Sequence, residues 1–295
     1  EVRDRLVAAY LQRTPSCVRA VNLLAGRGAR IYNDHIALRS FVDAKGNSGL
    51  GFLGEVFEAF GYDAEDRITI PGLPVNARWF EPPEATNWPK VFISELRADE
   101  LPAGAAAIVH RHVGGHYARG DAREAIQAGD AGALVAMLET PPWAVTAAEE
   151  EEVRAVGAFH PELAGAAEYA AWTLTHGHRW NHLTVLLNGA EVPGVATLAD
   201  LNALLAGEGF EFNSAGGADG LTQGSAAVRL EQSSTIADVV DHTFACGTSR
   251  RVPCSFLELI HRHDGFRGFL GQNAKGIFSS THSPGPSARP DSAAA

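Results

Sequence analysis

Three segments far apart in the chain carry the two-residue alternation of half-buried β-strands: residues 30–41 (RIYNDHIALRSF), 181–189 (NHLTVLLNG) and 252–262 (VPCSFLELIHR). Their spacing, with long helical stretches between, restricts the chain to a mixed α and β architecture. In a strand, His35, Ala37 and Arg39 share one face, as do His182, Thr184 and Leu186, and as do Phe256, Glu258 and Ile260. Glu258 is the sharpest constraint. It lies among Phe256, Leu257, Leu259 and Ile260, and a carboxylate buried there needs a cation or donor groups to offset its lost hydration.

The remaining segments complete a coarse layout. Residues 1–25 read as two short helices interrupted by Thr14-Pro15-Ser16, with a serine or threonine N-cap between them. Residues 50–60 read as a helix, and Gly61-Tyr62 as a turn into a strand; ARWFEP and KVFISELR mark further strands within 68–97. Residues 101–137 are alanine-rich and mostly helical, and 147–154 and 197–207 favour helix. Residues 226–232 read as another strand. The run Glu149–Glu152 reads as a solvated helix start, where carboxylates suit the positive end of the dipole. The expected organisation is one catalytic domain over 1–282: a β-containing half near 26–100, a helical insert near 101–178 and a second β-containing half near 179–282. The halves begin with units of similar order but show no clear sequence repeat. The tail, SPGPSARPDSAAA (283–295), has the composition of a disordered segment.

Composition narrows the function classes. The 295 residues are 45% hydrophobic, enough for a sizeable core. With 24 Lys and Arg against 35 Asp and Glu, the formal charge is −11, which lacks the basic footprint nucleic acid requires. No apolar run reaches the length of a membrane span. Three cysteines, none in a CxxC pair, read as small buried thiols in a reducing compartment: cytoplasm, or a plastid in a photosynthetic eukaryote. The chain begins at Glu1, which leaves room for a removed targeting segment.

Twelve histidines raise the question of a metal. Two local clusters have the spacing H-x-H-x3-H: His110, His112 and His116, and His176, His178 and His182. Neither continues into the carboxylate and glycine of a cupin barrel, and the first lies in glycine-rich sequence that reads as an exposed loop. A dispersed set is chemically more specific. His35, His182 and Glu258, each from a different strand, make the two-histidine, one-carboxylate set that holds non-haem Fe(II) with three adjacent positions open. Arg39 on the first of those strands would suit a substrate carboxylate, which a guanidinium fork holds bidentately. Periodicity alone is a weak signal and favours an ordinary reading of these residues as satisfied buried polar groups.

The sequence resembles the DUF1338 family, whose characterised members are 2-oxoadipate dioxygenase/decarboxylases. The matching stretches are NDHIALRSF (33–41), WPKVFISELRADEL (88–101), NHLTV (181–185), LEQSSTIAD (230–238), SFLELIHR (255–262) and GFLGQNAKGIFSST (268–281), in family order. The resemblance implies that His35, His182 and Glu258 are the metal ligands and that Arg39 binds substrate. It implies an α+β fold of vicinal-oxygen-chelate type, a curved sheet cupping the metal with helices around it. The implied cofactor is Fe(2+), and the partners are a 2-oxoacid and O2, with no oligomeric state specified. The implied reaction converts 2-oxoadipate and O2 to 2-hydroxyglutarate and CO2, a step in lysine breakdown, by decarboxylation and hydroxylation of the same molecule. The chain is shorter than the long bacterial members, whose C-terminal substrate contacts match no position here.

Around this core, Gln232, Ser233, His178 and Arg262 are further substrate-binding candidates. Three have a plainer reading: strand termination for Gln232 and Ser233, and neutralisation of a carboxylate for Arg262. His178, four residues before His182, would face the same side as that ligand by strand alternation. Ser94 and Glu95 are candidate supports for a ligand histidine, or, for Glu95, simply solvent-facing. Two other functions stay open: a Zn- or Ni-dependent isomerase or hydrolase, which would consume no oxygen, and a non-enzymatic homologue with a structural or binding role.

Overall fold

The computed structural model describes residues 1–84, 86–118, 121–216 and 220–282. Two helices open the chain, α1 (Val2–Arg13) and α2 (Pro15–Gly26). Pro15 starts α2 where its missing N–H costs nothing, and Thr14 occupies the cap position without a side-chain hydrogen bond. The strand β1 (Asn33–Val42) follows, then α3 (Gly49–Ala59), β2 (Asp63–Thr69), β3 (Val75–Glu81) and β4 (Lys90–Arg97). Five helices come next: α4 (Ala103–Val113), α5 (Asp121–Ala128), α6 (Ala131–Glu139), α7 (Ala147–Phe159) and α8 (Ala164–His176). The second β-region runs β5 (His182–Leu186), α9 (Leu198–Gly207), β6 (Gln223–Ser225), β7 (Leu230–Ser234), β8 (Val239–Thr243), β9 (Ser249–Pro253) and β10 (Phe256–Arg262), and α10 (Gly271–Ile277) follows.

Eight strands form one mixed sheet in the order β2-β3-β4-β1-β5-β10-β7-β6. This is an α+β fold whose curled sheet carries helices around it. Its two halves have the same plan: β1 lies parallel to β4, followed by antiparallel β3 and β2; β5 lies parallel to β10, followed by antiparallel β7 and β6. Each half is therefore a βαβββ unit, with α3 in one and α9 in the other, joined where β1 and β5 pair antiparallel. The β8–β9 hairpin is a separate two-stranded sheet inserted into the second unit. The sequence showed no such repeat, because pairing order rather than residue identity is duplicated.

Local chemistry explains the helix starts. Ser48 accepts from Gly51 N–H to cap α3, and Thr146–Glu149 and Thr197–Asp200 form reciprocal capping boxes on α7 and α9. In α8 every residue from Ala166 to His176 is buried; its many alanines let the helix lie close to the sheet, while Trp172 donates to Cys254 O at 2.6 Å.

Several expectations shift. Residues 226–228 form a 3-10 turn, Arg229 adopts a left-handed conformation, and the strand starts only at Leu230. Residues 252–262 are not one strand: β9 ends at Pro253, which has no N–H for a ladder, and β10 starts at Phe256. Glu150 is buried rather than solvated, ion-paired to Arg154 and Arg250 at 2.6 Å each. Of the cysteines, Cys17 and Cys254 are buried but Cys246 is exposed. Among the described residues no helix is long and apolar enough to cross a membrane. The tail expected to be disordered lies outside the described residues.

Candidate metal centre

β1, β5 and β10 are neighbours in the middle of the sheet, so three residues separated by up to 223 positions in sequence meet on one face. The Nε2 atoms of His35 and His182 lie 3.3 Å apart. Glu258 places Oε1 3.5 Å from His35 Nε2 and Oε2 3.2 Å from His182 Nε2. All three side chains are buried.

The opposite ring nitrogens explain what this cluster suits. His35 Nδ1 lies 2.8 Å from Asp34 Oδ1, and His182 Nδ1 lies 3.2 Å from Asn181 Oδ1. Each partner is an acceptor, so each Nδ1 holds the proton and each Nε2 turns a lone pair inward. Gln232 donates to Glu258 Oε1 at 2.8 Å, and the Thr184 hydroxyl lies 3.3 Å from His35 Nε2. That leaves His182 Nε2 facing lone pairs. Burial, then the neighbouring His35, hold His182 well below the usual imidazole value, so protonation does not relieve the repulsion. Burial also pushes the Glu258 carboxyl up, a cost to its charged form. A divalent cation would relieve all three groups at once, and the two-imidazole, one-carboxylate donor set fits one.

Support for this centre reaches across the sheet. Asp34 also accepts both arms of the Arg262 fork, Nε at 2.7 Å and Nη2 at 2.8 Å. Burial alone would raise the Asp34 carboxyl, but the bonds from Arg262 and His35 outweigh it and hold it well below the usual range. Phe269 packs edge-on against His35 with centroids 4.8 Å apart, and touches Phe92 and Trp79. Phe92 pairs with Ala37 as Glu258 pairs with Thr184. The position that supplies the carboxylate in one βαβββ unit thus supplies an aromatic wall in the other.

A family model described as 2-oxoadipate dioxygenase/decarboxylase matches residues 5–263. The chain belongs to that family. A 2-oxoadipate dioxygenase/decarboxylase of rice, named chloroplastic/amyloplastic, is 30% identical over 95% of this chain and 78% of its own length. The crystal structure of rice hydroxyglutarate synthase in complex with 2-oxoadipate superposes with a TM-score of 0.76 at 27% identity, covering 95% of this chain and 90% of that one. A Ralstonia eutropha protein assigned to the glyoxalase superfamily shares the fold, with a TM-score of 0.70 at 21% identity and coverage of 91% and 84%.

Within this 2-oxoadipate dioxygenase/decarboxylase fold the other candidates separate. Arg39 is buried on the same face as His35, its guanidinium packed on Tyr169, Trp172 and Phe278. Nη1 lies 3.3 Å from Glu168 Oε2, and Nη2 donates to Thr281 Oγ1 at 3.1 Å, while Nε is buried without a hydrogen-bond partner among the described residues. Gln232 bridges Asn273 and Glu258. Ser233 faces the other side of the sheet and donates to Asn202 Oδ1 on α9 at 2.6 Å. Adjacent strand residues point to opposite faces, so Gln232 and Ser233 do not share one pocket.

His178 precedes β5 rather than lying on it, so the alternation that aligned it with His182 does not apply. Its ring sits among Phe52, His116, Tyr117 and Trp143, and its Nδ1 lies 3.2 Å from the Arg39 carbonyl oxygen. Arg262 is taken up by Asp34. Ser94 bonds Tyr169, and Glu95, buried rather than solvent-facing, accepts from the Ser48 hydroxyl and from Leu50 N–H at the start of α3. His110 and His112 lie on α4, not in a loop, with Asp99 and Glu149 as partners.

Sequence reasoning missed Asp34, Asn181, Glu168 and Phe269. A signal existed for two of them: both inward histidines directly follow an Asp or Asn, in NDH and NH. Glu168 had none, since its α8 lies in the segment read as an insert.

Proposed function

We propose that this chain converts 2-oxoadipate and O2 into 2-hydroxyglutarate and CO2, with Fe(II) held by His35, His182 and Glu258. The observation that carries the reading is the convergence of two imidazoles, each oriented through Nδ1, with a buried carboxylate in a chain of this family. Bound iron would supply the redox chemistry that couples oxygen reduction to decarboxylation and hydroxylation of the same molecule, and the reaction balances without a second 2-oxoacid. Residues 1–282 act together as one catalytic unit, because α8 of the insert region supplies Glu168, Tyr169 and Trp172 around Arg39. The step belongs to lysine breakdown.

The protein's own groups perform the rest. Arg39 binds a substrate carboxylate through its unpartnered Nε and by exchange with Glu168, a charge-assisted contact of about 1.5–3 kcal/mol. Asp34 and Asn181 hold the ligand rings in one tautomer, and Arg262 holds Asp34. Phe269 and Phe92 keep water from the His35 side. An oxygen electrode with the Fe(II)-loaded protein and 2-oxoadipate tests the reading: one O2 consumed per CO2 and per 2-hydroxyglutarate supports it. Turnover of any 2-oxoacid without oxygen uptake overturns it in favour of Lewis-acid chemistry.

A further inference from the structure

Glu231, His261 and His263 form a second cluster whose ligand atoms lie within 4.8 Å of one another. It is distinct from the central triad. β7 and β10 pair antiparallel with His261 opposite Glu231, and strand alternation points both away from the face that carries Glu258 and Gln232. His263 lies just beyond the end of β10, and its N–H donates to the Arg229 carbonyl at 3.0 Å, which fixes the turn. His263 Nε2 is 2.9 Å from Glu231 Oε2, and His261 Nδ1 is 3.7 Å from the same oxygen. That Nδ1 is enclosed and makes no hydrogen bond among the described residues. The two imidazole centroids are 4.2 Å apart. The three groups border a cleft of about 470 Å³ that is also lined by Thr197, Leu198 and Ala199 at the start of α9.

We propose that Glu231, His261 and His263 bind a divalent transition metal of the zinc class, with water from the cleft completing its coordination. Two imidazoles and a carboxylate prefer such ions over Mg2+ or Ca2+, which favour all-oxygen sites. Two hydrogen-bonded strands carry the ligands, so little order must be created on binding. The site is half-buried, unlike the central triad, so its metal exchanges with solvent. It also clamps the end of β10 on either side of Arg262, whose fork holds Asp34 against His35.

Equilibrium dialysis of the whole protein against Zn2+, with metal analysis, tests this independently of the central triad. The double variant H261A/H263A should bind one equivalent fewer than the wild type, and E231Q should weaken the same site at least tenfold. H182A should retain the outer equivalent. A dissociation constant below about 1 µM is expected for three protein donors. Unchanged stoichiometry in H261A/H263A, with folding verified by circular dichroism, overturns the proposal; so does an H182A protein that binds no zinc.

Discussion

At the scale of single residues, the centre depends on which atoms hold protons. His182→Ala removes one of two imidazole ligands and should abolish retention of a central metal ion after gel filtration, read by metal analysis with the outer site disabled. Asp34→Asn loses the carboxylate that orients His35, so central metal affinity should fall about 10–100-fold. The same substitution has a pH signature. The folded Asp34 carboxyl lies below its ordinary value of 3.8, so its charged form stabilises the fold. That contribution is fully present above pH 3.8 and is lost as pH falls toward the folded value. Wild type and Asp34→Asn should therefore differ by on the order of 3 kcal/mol in urea unfolding at pH 7, and their stabilities should converge below pH 3.8.

The thiols give a further test at this scale. The Thr248 hydroxyl, then backbone N–H groups, lower exposed Cys246 to about 7, while burial pushes Cys17 up to about 12. Alkylation of the native protein should label one thiol, Cys246, with a midpoint near neutral pH, and Cys246→Ser should abolish the labelling.

At the scale of elements, strand pairing decides what each side chain can reach. The periodicity of 33–41, 182–186 and 256–260 was readable in the sequence and put His35, Arg39, His182 and Glu258 on the correct faces of their own strands. Alternation failed where an element ended: His178 lies before β5, and Pro253 ends β9 before β10 begins. Gln232 and Ser233, both read as substrate candidates, are neighbours on β7 and so face opposite sides of the sheet.

The β6–β7 hairpin shows how tightly the centre is supported. Gly224 has φ +79°, and a Cβ there would collide with the Leu230 carbonyl and with Asn273, which in turn holds Gln232 against Glu258. Gly224→Ala should cost about 3 kcal/mol in chemical denaturation, combining backbone strain with overpacking. Arg39→Lys keeps the charge beside Glu168 but loses the planar fork. It should raise KM for the 2-oxoacid about 10–100-fold while leaving the melting temperature within a few degrees.

At the scale of the whole molecule, the sheet is two βαβββ units joined through β1 and β5, and the central triad lies at their seam. A metal there binds the folded chain and not the unfolded one, so saturating it at about 100 times its dissociation constant should add about 2.7 kcal/mol. Chelation should reverse that gain, visible as a lower melting temperature.

The chemistry of the candidate centre was legible in the residues because each strand exposes a local period of two, and because a lone glutamate among leucines demands a partner. The family's motifs then named the same four positions. The duplicated topology was not legible, since hydrogen-bond order between strands leaves no trace in residue identity. Nor were Glu168 and Phe269, because a residue from a helix or a loop becomes part of a site only when long-range packing carries it there. Local sequence set the faces of the strands, and pairing across more than 200 residues brought those faces together around one point.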